Sequence, residues 1–134
     1  MITYHYTSFS NWKKIKKEGL VPYEIKHDEL FIVFGEYPMG IWLWKNKPRG
    51  IAHTGGVIYQ LATKNDTKIV LLRVTIDDWS VLRAPDGRTI KLTHEGHIQE
   101  FQYHKNEKSV ICTDFVSPKD IELVDIYDVK ERLK

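Results

Sequence analysis

Residues 68–76 read Lys-Ile-Val-Leu-Leu-Arg-Val-Thr-Ile, the most strongly apolar run of strand type in the chain. Strands exposed on one face alternate apolar and polar residues, whereas a strand covered on both faces reads as a nearly continuous β-branched and aliphatic run. The segment therefore predicts a central strand of a sheet with other elements packed on both sides. A chain of 134 residues can supply that covering once, which predicts one domain over residues 1–134.

The remaining elements follow from periodicity and punctuation. Ile2 to Tyr6 is short, β-branched and aromatic, and reads as a strand. Ser8 or Ser10 can cap a helix that places Trp12 and Ile15 on one face and stops at Gly19. Lys13, Lys14, Lys16 and Lys17 occupy the remaining face, as expected of a solvated helix surface. Leu30 to Phe34 and Gly40 to Trp44 read as strands separated by a Gly35-Glu36-Tyr37-Pro38 turn signal. Period-two alternation puts Trp42 and Trp44 on one face of the second and Ile41 and Leu43 on the other. The segment ending Gly55 to Thr63 reads as a short helix. Beyond the central strand come an Ala84-Pro85-Asp86-Gly87 turn and strand candidates at Thr89 to Leu92, Ser109 to Thr113 and Ile121 to Tyr127. About seven strands and two short helices predict an α+β domain.

Composition excludes rather than identifies. Twenty basic and 18 acidic residues leave a net charge of +2, which does not mark a nucleic-acid binder. A single cysteine, Cys112, excludes an internal disulfide framework, and it falls in an apolar strand, as a buried, inert thiol does. With no 18-residue apolar run and no signal-peptide pattern at Met1 to His5, the expectation is a monomer in a reducing cytoplasm, away from membranes. Neither GxGxxG nor GxxxxGK[ST] occurs, and His94-Glu95-Gly96-His97 lacks the four-residue histidine spacing of a helical zinc site.

One ordered set of landmarks carries more. His5-Tyr6-Thr7 lies on the first strand, and a short helix ends Glu18-Gly19-Leu20. Gly40-Ile41-Trp42-Leu43-Trp44 follows, and Val116-Ser117-Pro118 with Ile121 closes the series. In this order they resemble the ADP-ribosyltransferase superfamily, nearest its histidine-containing branch of poly-ADP-ribose polymerases, diphtheria-type toxins and DNA-thymidine ADP-ribosyltransferase toxins. The resemblance implies a split, mostly antiparallel sheet with short helices, NAD as cofactor, and transfer of ADP-ribose to a macromolecule. It implies that His5 bonds the NAD ribose, that Thr7 supports it, and that the backbone at Tyr6 holds the nicotinamide carboxamide. Gly40 opens the aromatic strand, and Trp42 and Tyr59 sandwich the nicotinamide ring, a flat electron-poor group suited to stacking.

Cleavage of the nicotinamide–ribose bond passes through an oxocarbenium-like transition state, which a carboxylate stabilises. An ungapped match puts Ser109 at the position of the family's glutamate. Glu107, two residues earlier, projects from the same face if the strand extends that far. Either a register shift makes Glu107 the catalytic acid, with Glu100 a more distant alternative, or the carboxylate is missing and the domain binds without transferring. RNA 2′-phosphotransferases share the fold without a glutamate, but they use an arginine where Tyr4 stands. For the acceptor, a nucleic acid is favoured over a protein, because Lys13, Lys14, Lys16, Lys17, Lys45, Lys47 and Arg49 would form a basic rim in that fold.

Overall fold

Strand β4 (Lys68–Thr75) runs through the interior of the sheet, with β1 (Ile2–Ser8) on one side and β8 (Ile121–Asp128) on the other, both antiparallel to it. Its Ile69, Val70, Leu71, Leu72 and Val74 are wholly buried, as the double-faced apolar run requires. The computed structural model describes residues 1–26, 30–31, 34–51, 57–83, 90–92, 98–101 and 109–133. Its main sheet has six strands. The order is β2 (Tyr23–Glu24), β3 (Met39–Trp44), β1, β4, β8, and β7 (Ser109–Cys112) joins it by pairing with β3. Strands β5 (Ile90–Leu92) and β6 (Ile98–Phe101) form a separate antiparallel pair. The chain is a single small α+β domain. Among the described residues no helix is long and apolar enough to cross a membrane.

Helix α1 (Phe9–Glu18) begins and ends where its sequence directs. The Ser8 hydroxyl accepts the Asn11 N–H at 3.2 Å, and the Gly19 N–H donates to Ile15 C=O at 2.7 Å. Gly19 has φ 84°, and a side chain there would run into the Val116 carbonyl oxygen and the Phe115 ring, so two constraints demand glycine. Ile15 with the partly buried Phe9 and Trp12 covers one face of the sheet, against Ile41, Leu43, Val70, Leu72 and Val74. The four α1 lysines are exposed.

The opposite face is more aromatic. Tyr6, Ile69 and Leu71 are buried there beneath Ile51, Ile58, Ala62 and Val129, with Tyr4, Trp44, Tyr59 and Tyr127 packed around them. Ile58 and Tyr59 belong to a 3-10 helix, Val57–Leu61, in the segment expected to be a short helix; Gly55 and Gly56 lie outside the described residues. Trp42 joins a third cluster with Ile25, Leu30 and Ile111.

The expected strand at Leu30 to Phe34 is corrected. Leu30, Phe31 and Phe34 are helical, and the Gly35 N–H donates to Phe31 C=O at 2.7 Å with Gly35 at φ 73°. A five-residue apolar run fits a buried helical turn as well as a strand, and Gly35 acts as a helix stop rather than a hairpin turn.

Candidate functional site: a gap between β1 and β3

The sheet is not uniformly zipped. Strand β1 pairs with β4 through seven consecutive residues, Ile2 to Ser8, but meets β3 only at Tyr4 opposite Trp44. Strand β2 takes up the pairing of β3 again at Gly40, opposite Tyr23. Between these two points the Trp42 peptide lacks a partner strand on that edge among the described residues, while β7 holds the other edge from Ile41 to Trp44.

Two side chains replace the missing ladder. His5 Nδ1 lies 2.9 Å from the Trp42 carbonyl oxygen, and the Trp42 N–H donates to Tyr23 Oη at 3.3 Å. A carbonyl has no proton to give, so Nδ1 carries the hydrogen. Burial lowers the His5 pKa, outweighing the opposing effect of the Trp42 bond, and the ring is neutral near pH 7. Its Nε2 then bears a lone pair: it can accept a hydrogen bond from a hydroxyl but cannot donate one.

The register places the other expected site residues. His5 stands opposite Leu72 and Thr7 opposite Val70, so both leave the sheet on the face covered by α1. Tyr6 points the other way, with its ring centroid 6.3 Å from that of Tyr127. The Tyr6 hydroxyl is buried without a hydrogen-bond partner, and burial, then nearby Tyr127 and Asp125, push its pKa far up. Gly40 is buried because a side chain there would strike the Ile111 methyl and crowd the Cys112 carbonyl. Trp42 and Trp44 do share the face opposite Ile41 and Leu43.

His5 and Trp42 are therefore joined by a hydrogen bond, with Gly40 on the same strand. Tyr59 is in a different apolar cluster from Trp42, and the Arg132 guanidinium carbon lies 4.9 Å from its ring centroid. Glu107 and the His94 to His97 segment lie outside the described residues. Glu100 falls on β6 opposite Lys91, and β7 opens at Ser109, opposite Trp44. Cys112 is buried, its sulfur 3.4 Å from Ser80 Oγ. Tyr23 was not foreseen: one aromatic after Pro22, outside any periodic run, gives no hint that its hydroxyl meets a backbone group nineteen residues further along the chain.

Against known proteins, no family model matches the chain, and neither a curated protein nor a solved structure does.

Proposed function

We propose that this protein is a small NAD-dependent mono-ADP-ribosyltransferase acting on a macromolecular acceptor, a nucleic acid in preference to a protein. The observation that carries the reading is the gap between β1 and β3, bridged by a neutral His5 whose Nδ1–H is committed to Trp42. A split sheet with a histidine on its first strand is what the resemblance implies, and a free Nε2 acceptor suits a ribose hydroxyl.

NAD supplies the chemistry: its nicotinamide–ribose bond breaks, nicotinamide leaves with the bonding electron pair, and the acceptor's nucleophile bonds the ribose carbon and gives up its proton. The residues of the chain orient and stabilise. His5 Nε2 accepts the ribose hydroxyl and Thr7 supports that side of the site, while the backbone at Tyr6 meets the carboxamide. The Trp42 peptide, held by His5 and Tyr23, borders the gap, while its indole leaves the sheet on the face opposite His5 and is left out of this pocket. Glu107 is assigned the carboxylate that stabilises positive charge on the ribose. Tyr59 has a guanidinium over its ring and is left out of this pocket.

A second reading is favoured by one observation: β7 begins at Ser109, where the resembling families carry their acid, so the domain could bind a nucleotide-like ligand without cleaving it. Incubation with NAD labelled in the adenylate, with protein, DNA and RNA acceptors in separate reactions, decides between them. Label on an acceptor together with free nicotinamide supports the transferase. NAD binding without turnover on any acceptor supports the binder, and absence of NAD binding at millimolar concentration overturns both.

A further inference from the structure

On the face of the sheet away from α1, a groove of about 510 Å³ opens between the 3-10 helix at Val57–Leu61 and the end of β8. Arg49, Tyr59, Tyr127 and Arg132 line it, with Asp128 and Glu131 among them. Its volume falls in the range of small-molecule sites. We propose that it is a binding site for a phosphorylated nucleoside, distinct from the gap beside His5.

Three features of the lining select that chemistry. First, the two tyrosine rings offer flat apolar surface, and the Arg132 guanidinium lies 4.9 Å from the centre of one of them. A guanidinium in that place disfavours a second cation, which turns away the positively charged nicotinamide ring, and it attracts an electron-rich base or an anion. Second, Arg49 is exposed and makes no ion pair with a carboxylate among the described residues, so its five N–H donors are available to a phosphate. Third, Asp128 and Glu131 balance the two arginines in charge. Such a lining is no trap for a bare anion. The Asp128 carboxylate, whose Oδ1 also accepts the Lys130 N–H at 3.0 Å, suits the hydroxyls of a ribose or the amino group of a base, which donate hydrogen bonds. Ring, phosphate and hydroxyl together define a nucleoside phosphate. It could be a free mononucleotide or one unit of a nucleic-acid strand.

Titration of the full-length protein with AMP, adenosine, inorganic phosphate and a short single-stranded oligonucleotide, followed by NMR and calorimetry, tests the site. AMP is expected to bind at least about tenfold more tightly than adenosine, and phosphate alone not measurably, because ring and charge act together. Arg49→Ala should remove that advantage and leave adenosine binding and the melting temperature unchanged; Arg132→Gln should weaken both nucleoside ligands. An oligonucleotide that binds more tightly than AMP, with affinity falling steeply as salt rises, identifies a strand as the source, whereas equal affinities identify the free nucleotide. AMP binding that persists in His5→Phe, the variant expected to lose the NAD response, supports a separate site. Equal binding of AMP and adenosine, insensitivity of AMP to Arg49→Ala, or loss of AMP binding in folded His5→Phe overturns the proposal, and none of these outcomes bears on whether NAD is cleaved.

Discussion

Replacing His5 tests the gap and the proposed function together. His5→Phe keeps a flat ring of similar size but deletes the Nδ1–H that bonds the Trp42 carbonyl and the Nε2 acceptor. The orphaned carbonyl is partly buried on an edge without a partner strand, so the loss should cost about 1–2 kcal/mol, the penalty for an unsatisfied backbone acceptor. For a domain of this size that lowers the melting temperature by roughly 3–8 °C. His5→Gln should recover much of it, because the glutamine amide can donate to Trp42 while its oxygen still accepts from a ligand. Tyr23→Phe should cost less, about 0.5 kcal/mol, since the 3.3 Å bond to the Trp42 N–H is exposed and water can replace it. Urea denaturation followed by tryptophan fluorescence gives the stabilities, and the melting shift with added NAD gives binding. The expected ranking in stability is wild type, Tyr23→Phe, His5→Gln, His5→Phe, with no NAD shift in the last. A His5→Phe protein as stable as wild type that still responds to NAD would refute the reasoning.

Three further outcomes are expected. Because burial lowers the folded pKa of His5, the unfolded chain binds the extra proton first; the contribution of His5 to stability should be complete above about pH 6.5 and fade as pH falls toward the folded pKa, and His5→Gln should show less loss over the same range in matched denaturation series. Gly40→Ala should destabilise by about 1–3 kcal/mol through its collision with Ile111 in a packed strand pair; a change within error of zero would show that β3 and β7 can part without cost. Glu107→Gln should bind NAD almost as wild type does yet turn it over at least about a hundredfold more slowly, and inactivation by Ser109→Ala with activity kept in Glu107→Gln would reverse the assignment of the acid.

The sequence carried the strands and the first helix well because their signals are local. Alternation at Ile41 to Trp44 assigns faces without knowledge of any partner, and Ser8 and Gly19 mark the ends of α1 by hydrogen-bond demand and backbone angle. Where local signals were equivocal they failed: Leu30 to Phe34 is too short for periodicity to separate a helical turn from a strand, and the two residues of β2 carry no pattern at all. The 3-10 helix at Val57–Leu61 was expected as a helix, but its tightness was not, since 3-10 and α segments of five residues share the same apolar spacing.

The candidate site lies one level further from the sequence, because a gap in a sheet is a property of three strands at once. Nothing in residues 2–8 says that β1 holds β4 along its whole length and β3 at a single point. That difference leaves the Trp42 peptide without a strand partner on the β1 edge among the described residues, and the cost of an unpaired peptide explains why a histidine and a tyrosine reach for it. The histidine could be picked out by type and position alone; its tautomer could not, since the Trp42 carbonyl fixes it. The same carbonyl bond joins stability to function here. By holding Nδ1–H it leaves Nε2 bare, so any substitution that frees the carbonyl also changes what the gap can offer a ligand, and the two effects should be lost and rescued together across the His5 series.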